Sequence, residues 1–263
     1  MLRVNQLIGF GARRPAGGGG ITDLSPYSPT AAFSFSRTIY SGYGGALYSD
    51  TGGAITTWND QAGSARDVTD GGVSARRPTL STAGPNSVAC GDFDGANNYL
   101  SGTGLGQYWA TGNKFIVISC IVDTISQNEH ANFKADQNNL ITASNGVAGI
   151  SFAKKAGVDT VYIHNYVSGS SDTNTSATIT LGTPYVFAFR HDTSANMYLS
   201  VNGAAEISVA TNTTYNDGSE TLRIGRYLFY FDGKIFEAAT WGNTMPNATD
   251  RAAIVAMFLD HIT

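Results

Sequence analysis

The segment from residue 161 to 167 (VYIHNYV) contains the side chains best suited to binding a ligand. Successive side chains of a β-strand point to opposite faces, so Tyr162, His164 and Tyr166 share one face and the aliphatic side chains share the other. If the aliphatic face enters the core, the Tyr-His-Tyr row faces solvent. Aromatic rings with polar tips suit the weakly apolar faces of sugars, and hydroxyl and imidazole groups supply hydrogen bonds. The row therefore predicts a glycan-binding surface, with an ordinary outer sheet face or a subunit contact as the alternative.

Two further aromatic groups are candidates for contact with a ligand or a partner. Tyr108 and Trp109 lie in a glycine-rich stretch, 101–112, where they can cap a binding groove; the alternative is a loop tucked over the domain edge. Residues 226–231 (RYLFYF) place four aromatic side chains in five positions. Some of these must enter the core, and the remainder form an exposed patch of the kind that marks an interface. We expect a symmetric contact between identical subunits, and hence a homo-oligomer.

Asp92 and Asp94 are paired carboxylates of the kind that glycosidases use. At about 3.3 Å rise per residue they lie on one strand face with Cα atoms about 6.6 Å apart, compatible with the roughly 5–5.5 Å between the carboxyl groups of a retaining enzyme. Gly95 follows Asp94, however, and Asp94 is better explained as a turn residue that accepts hydrogen bonds from nearby backbone amides. We therefore expect no catalytic residues.

Metal binding has less support in the sequence. Asp60, Asp67, Asp92 and Asp94 offer oxygen ligands for calcium, but they lack the regular spacing of a dedicated calcium loop. The histidines, at positions 130, 164, 191 and 261, have no ligand spacing for zinc. We predict no cofactor and no metal site, with calcium left as an alternative.

The composition favours many short strands joined by tight turns. Charged residues make up 14% of the 263, against roughly 25% in an average soluble domain, and Gly reaches 31. A net charge of −4 without a basic cluster argues against nucleic-acid binding, which needs Lys and Arg to displace counterions. No stretch approaches the roughly 20 apolar residues that span a bilayer, so we predict no membrane insertion. Cys90 and Cys120 are expected to be buried free thiols on neighbouring strands, with one disulfide as the alternative.

The chain divides into an N-terminal arm and one large domain. Residues 1–25 hold a short apolar run and four consecutive glycines, so we predict an anchoring arm whose hinge spans 17–22. Residues 26–263 are predicted to form one domain, with a buried strand at 115–122. Further strands are predicted near 148–154, 159–167, 184–191, 196–202, 205–210, 220–226 and 234–241. A terminal helix is predicted to begin at Asn247 or Thr249 and to bury Ile254, Phe258 and Ile262.

Several turn motifs resemble those of the laminin-G/concanavalin A-like domains that are common in bacteriophage virion proteins and bacterial surface proteins. The opening half is similar at Trp58-Asn59-Asp60-Gln61 and Phe93-Asp94-Gly95, and the closing half at Tyr198 to Gly203, Ile224-Gly225 and Phe231 to Glu237. The resemblance covers roughly residues 32–262. It implies an antiparallel two-sheet jelly roll with a C-terminal helix. Hydrolases of this type carry Glu-x-Asp-x-x-Glu on a strand, and this sequence does not contain that pattern.

The resemblance and the sequence together predict a non-enzymatic virion surface protein, such as a fibre, spike or decoration subunit, that binds host-surface polysaccharide. The apolar run at residues 7–10 is shorter than the roughly 7–15 residues of a secretory signal, so we expect assembly in the host cytoplasm and display on the virion surface. The alternative is an extracellular protein whose signal was removed or that is exported by another route. Residues 1–22 would contact other virion proteins. A purely structural subunit is the first alternative, and a glycoside hydrolase or lyase is the second.

Overall fold

The computed structural model describes residues 21–63, 66–102, 113–125, 138–143, 148–165, 173–192, 196–210, 222–226, 230–242 and 244–263. These residues form an all-β body with one α-helix, as the sequence predicts. The strands are β1 (Ala31–Ser34), β2 (Tyr48–Thr51), β3 (Ala54–Trp58), β4 (Val68–Thr69), β5 (Thr79–Ser81), β6 (Cys90–Asp94), β7 (Leu100–Gly102), β8 (Lys114–Thr124), β9 (Asn138–Ala143), β10 (Ala148–Lys155), β11 (Val158–Asn165), β12 (Thr173–Thr178), β13 (Pro184–His191), β14 (Asn196–Val201), β15 (Ile207–Ala210), β16 (Leu222–Ile224) and β17 (Asp232–Gly242). The helix is α1 (Ala248–Ile262), and short 3-10 turns span Ser25–Tyr27, Ser74–Arg76 and Pro85–Ser87.

The strands pair antiparallel and fold into two layers. The first layer runs β15-β14-β13-β8-β17, and the far edge of β17 pairs with both β1 and β6, which leads to β5. The chain passes through β3 and β4 into the second layer, which runs β7-β16-β9-β10-β11-β12. This arrangement confirms the predicted antiparallel two-sheet sandwich.

The main core, called the inner cluster here, fills the space between the two layers. It contains Ile118 and Phe187 from the first layer and Phe152 and Val161 from the second. The rings of Phe152 and Phe187 lie 5.6 Å apart between centroids, so the layers interdigitate directly. Burial of these large apolar side chains is the main force that holds the layers together.

A second core, the outer cluster, lies between the first layer and α1. On β8, Ile116 and Ile118 enter the inner cluster, whereas Phe115 and Val117 enter the outer cluster. A strand that is buried on both faces needs apolar side chains at nearly every position. This explains the continuous apolar sequence from which the strand was predicted.

Helix α1 closes the outer face of the first layer. Asn247 is its N-cap, and its side-chain oxygen accepts a 3.0 Å hydrogen bond from the amide of Asp250. Ile254, Phe258 and Ile262 are buried as predicted. None of the helices in the described part of the chain is long and apolar enough to cross a membrane.

Two smaller predictions are refined by the structure. Cys90 and Cys120 are buried free thiols, as predicted, but β17 lies between their strands and they belong to opposite clusters. Ile21 and Leu24, which the sequence assigns to the arm, pack against the outer cluster. Residues 1–20 of the predicted arm lie outside the described residues, so its anchoring role stays a prediction.

Candidate functional site

An open groove of about 510 Å³ lies at the outer face of β5 and β6. Its walls come from the end of β6, from β5 and from the 3-10 turn at Ser74–Arg76. The lining residues are Ser74, Ala75, Arg77, Thr79, Asp92, Asp94 and Asn98. They offer carboxylate, guanidinium, amide and hydroxyl groups, a set that can both donate and accept hydrogen bonds.

Strand alternation directs both carboxylates into the groove. On β6, Phe93 enters the inner cluster, so Asp92 and Asp94 point to the opposite face. Thr79 of β5 lies directly across from Asp92 in the strand register. The sequence spacing therefore predicts correctly that the two aspartates share a face.

Asp94 is occupied by the turn that follows β6. Its Oδ1 atom accepts hydrogen bonds of 2.9, 3.0 and 3.2 Å from the amides of Ala96, Asn97 and Asn98. The predicted turn role is therefore confirmed. This role holds Asn98 at the groove, where the Asn98 side-chain oxygen accepts a bond from the Asp94 amide at 3.1 Å.

Arg77 is held at the groove wall by a buried partner. Its Nε atom lies 2.6 Å from Oδ2 of Asp70, and Oδ1 of Asp70 accepts a 2.8 Å bond from the amide of Gly72. Burial is the largest single influence and would raise the pKa of Asp70, but the hydrogen bonds from Arg77 and the Gly72 amide and the charges of Arg77 and Arg76 together hold the pKa below its ordinary value. Arg77 is thus an anchored part of the site.

Asp92 is the least satisfied carboxylate in the groove. Its side chain makes no hydrogen bond to any other residue in the described part of the chain. Desolvation raises its pKa; Lys234 opposes this, and the like charges of Asp123, Asp232 and Asp94 add to it. Lys234 lies across from Asp92 on β17, but its Nζ atom is 2.5 Å from Oδ2 of Asp123. The cation that lowers the pKa of Asp92 is therefore paired with another carboxylate, and Asp92 forms no ion pair among the described residues.

The two carboxylates of the groove have different surroundings. A glycosidase needs one carboxyl group as acid and a second as nucleophile or base. Asp92 has the raised pKa of an acid, whereas one oxygen of Asp94 is committed to three backbone amides. The described residues contain no group of three or more His, Cys, Asp or Glu side chains that could hold a metal ion. Asp60 and Asp67, which were considered for calcium, instead accept hydrogen bonds from the amides of Ala32 and Asp60 respectively.

The predicted exposure of the Tyr-His-Tyr row is wrong at Tyr162. Val161 and Ile163 enter the inner cluster as predicted, but Tyr162 on the opposite face has no solvent exposure. Its neighbour Ser151 on β10 is equally buried, so this face of β11 is covered too. Strand alternation predicts which side chains share a face of the sheet, but it does not predict which other residues pack over that face.

The other predicted site residues lie outside the part of the chain that the structure describes. These are the His164 side chain, Tyr166, Tyr108 and Trp109. Their predicted roles in ligand binding stay predictions. Arg77, Thr79 and Asn98 were not recognised as site residues, because no local motif shows that a turn and two strands meet at one groove. The available signal was the Asp94-to-Asn98 turn after β6.

No protein-family model matches the chain, and no curated protein matches it. Solved structures with similar folds are found. A GH54 α-L-arabinofuranosidase soaked with a cyclic sulfate inhibitor has a TM-score of 0.61 at 14% identity, covering 93% of this chain and 66% of that one. A Trypanosoma rangeli sialidase has a TM-score of 0.53 at 12% identity, covering 89% of this chain and 33% of that one. A botulinum neurotoxin type C, whose cell entry depends upon interaction with two ganglioside molecules, has a TM-score of 0.55 at 9% identity, covering 80% of this chain and 50% of that one.

These likenesses define the fold. The chain spans from one third to two thirds of the length of these three proteins. At such low identities the comparison establishes a β-sandwich of the lectin-like, jelly-roll type, compatible with the concanavalin A-like resemblance noted in the sequence.

Proposed function

We propose that the chain is a glycan-binding protein that holds a saccharide in the groove between the Ser74–Arg76 turn and β6 without cleaving it. The observation that carries the proposal is the Asp92 carboxylate, which faces the groove without a hydrogen-bond partner among the described residues, next to the anchored Arg77 and Asn98. Sugar hydroxyls donate to carboxylates and accept from guanidinium and amide groups, so this set can bind two adjacent hydroxyls. The similar folds of an arabinofuranosidase, a sialidase and a ganglioside-dependent toxin are consistent with a saccharide ligand.

The biological setting that we propose is the surface of a bacteriophage particle. The support is the sequence resemblance and the glycine-rich segment at residues 17–20, which suits a tether to other virion proteins. Weak contacts to a host-surface polysaccharide would become useful when many copies bind together, because linkage raises the effective concentration.

A glycan array probed with multimerised protein tests the binding proposal. We expect Asp92→Asn to weaken binding to the recognised glycan about tenfold or more, since hydrogen bonds to charged groups contribute about 1.5–3 kcal/mol. Asp50→Asn is the matched control, because Asp50 is an exposed carboxylate on β2 and does not line the groove. No binding to any polysaccharide, or equal losses in both variants, would contradict the proposal.

Two alternatives are separated by further measurements. If the unaltered protein releases new reducing ends from a polysaccharide, and Asp92→Asn stops the release, the groove is a hydrolase site.

Removing residues 1–20 leaves the packing of Ile21 and Leu24 intact and tests the tether. We expect the shortened chain to bind glycan but not to join particles. If the protein is a structural subunit without a ligand, the full chain should join particles, the shortened chain should not, and neither form should bind glycan.

A further inference from the structure

A second polar cluster lies on the outer face of β17, in the part that α1 covers. The Glu237 cluster consists of Ser34, Ser36, Arg37, Glu237 and His261, and it shares no residue with the groove. The inference drawn from it is independent of the proposed glycan binding.

Three side chains in this cluster form a chain of contacts. The Oγ atom of Ser36 lies 2.9 Å from Nε2 of His261, and Nδ1 of the same ring lies 2.9 Å from Oε1 of Glu237. The contact between Nδ1 and Glu237 is short enough for a hydrogen bond but is poorly aligned for one. Catalytic hydrogen bonds are often poorly aligned before substrate binds. The order nucleophile, base and orienting carboxylate is that of a serine hydrolase triad.

Glu237 is fully buried yet has the surroundings of an ionised carboxylate. Burial is the largest single influence and would raise its pKa, but the hydrogen bonds and positive charge of Arg37, together with the adjacent His261 ring, outweigh it and hold the pKa below its ordinary value. Arg37 contacts both carboxylate oxygens, through Nε at 2.6 Å and Nη2 at 2.9 Å. An ionised Glu237 keeps the proton of His261 on Nδ1, which leaves Nε2 able to accept the proton of Ser36.

The surroundings of His261 favour a proton transfer of this kind. His261 lies in the last turn of α1, where the helix carbonyls favour a positive charge that develops on the ring. Ser36 is partly exposed, and the His261 side chain keeps 12% of its accessible surface. A substrate at the surface can therefore reach the hydroxyl.

We propose that Ser36, His261 and Glu237 form an acyl-transfer site that hydrolyses short-chain carboxylic esters. Ser36 is the nucleophile, His261 is the general base and then the general acid, and Glu237 is a positioning residue. The side chains around Ser36 in this cluster are polar, so an acetyl group suits the site better than a long apolar acyl chain.

The reaction balances without any further reagent. The Ser36 oxygen bonds to the ester carbonyl carbon while Nε2 of His261 takes the hydroxyl proton. The ester C–O bond then breaks, and the proton passes from His261 to the leaving alcohol, which leaves an acyl-serine. Water attacks the acyl carbon in the same way and releases the carboxylic acid with a free Ser36.

The backbone amides next to Ser36 already donate to a buried hydroxyl. The amides of Ser36 and Arg37 both point at the Ser34 hydroxyl over 3.3 Å, so two N–H groups converge on one oxygen. These two amides are therefore engaged with Ser34, which itself donates to Glu237 at 3.0 Å, and Arg37 also offsets part of the charge of Glu237. Both effects slow turnover, so covalent trapping is a more sensitive measurement than steady-state rate.

Labelling of the full chain with a fluorophosphonate, followed by peptide mass mapping, tests the proposal. We expect an adduct on Ser36 and the release of p-nitrophenol from p-nitrophenyl acetate faster than from the octanoate ester. Ser36→Ala should abolish the adduct and lower acetate hydrolysis at least tenfold. Ser41→Ala, a nearby exposed serine outside the cluster, should change neither. His261→Gln should abolish labelling of Ser36 while Ser36 itself is intact, which a purely structural role for Ser36 does not predict.

Circular dichroism and thermal unfolding of each variant identify any loss that comes from misfolding. If the folded, unaltered protein gives no adduct, or if the adduct persists at another residue in folded Ser36→Ala, the proposed activity is wrong. Both outcomes leave the glycan-binding proposal untouched, because the groove is assayed separately by Asp92→Asn.

Discussion

The groove and the Glu237 cluster place carboxylates on the outer face of the same sheet, with opposite electrostatic outcomes. Asp92 is only partly buried, yet its pKa is raised, whereas Glu237 is completely buried and its pKa is lowered. Burial disfavours the ionised form in both cases. The difference comes from partners: Glu237 has a bidentate arginine, whereas the nearest cation to Asp92 is paired with Asp123. Burial therefore disfavours the ionised form of both carboxylates, and the local hydrogen bonds and ion pairs decide whether the pKa ends above or below its ordinary value.

Helix α1 accounts for the structural difference between the two regions. The helix carbonyl of Met257 accepts a hydrogen bond from Arg37, and His261 contacts Glu237 directly. Among the described residues, no helix covers the outer face next to Asp92, and the groove is open there. The covered carboxylate is tied to fixed partners, while the uncovered one faces the open groove.

The largest expected loss of stability comes from removing the arginine partner of Glu237, the covered carboxylate. Arg37→Met leaves Glu237 buried without its main partner, and we expect a loss of about 3–5 kcal/mol in the free energy of unfolding at pH 7. Urea denaturation measures this loss. Lys154→Met, which breaks the partly exposed pair with Asp159, is the control and should cost below about 1 kcal/mol. Equal losses in the two variants would show that Glu237 does not depend on Arg37.

The next effect concerns the bulge that begins β17 beside the groove. Gly233 has φ +147°, and a Cβ atom there would lie 2.1 Å from the carbonyl oxygen of Ile121. We expect Gly233→Ala to destabilise the fold by about 3 kcal/mol and to weaken glycan binding, because overpacking must displace a backbone strand next to Lys234. The control Gly203→Ala has φ +71° but no neighbour closer than 3.6 Å, so it should lose only about 1–2 kcal/mol. Thermal unfolding compares the two; a smaller loss at Gly233 than at Gly203 would rule out the clash.

The smallest expected change in stability comes from replacing Asp92, the uncovered carboxylate. This substitution should stabilise the protein, whereas the two above destabilise it. Because the folded pKa of Asp92 is raised, its ionised form disfavours the fold above that pKa, and the penalty disappears as pH falls below the unfolded value of 3.8. Asp92→Asn should therefore stabilise the protein at pH 7, by less than about 1 kcal/mol because solvent screens the group. The gain should vanish near pH 3. Melting temperatures of the variant and of Asp50→Asn between pH 3 and 7 check this; a destabilised Asp92→Asn at pH 7 would contradict it.

Glu237 should show the reverse pH dependence in the same experiment. Its lowered folded pKa contributes stability that is present above the unfolded value of 4.5 and is lost as pH falls through the folded pKa. The unaltered protein should therefore lose stability in acid through Glu237, and that part of the loss should be absent in Arg37→Met.

The sequence determined much of this protein through local and periodic rules. The double-sided burial of β8, the Asn247 N-cap, the apolar face of α1 and the turn role of Asp94 each follow from spacing within about a dozen residues. Such features depend on neighbours along the chain, so one sequence is enough to predict them.

Only the tertiary structure decided what covers each face. Strand alternation predicts that Tyr162 is exposed, but Tyr162 is buried. Ser36 contacts His261, which is 225 residues away in the sequence. Asp92 and Glu237 are both acidic residues on strands, and nothing around either one indicates which of them the helix packs over. That outcome depends on how separate elements dock, because packing between distant segments, unlike strand and helix periodicity, leaves no repeating signal in the sequence.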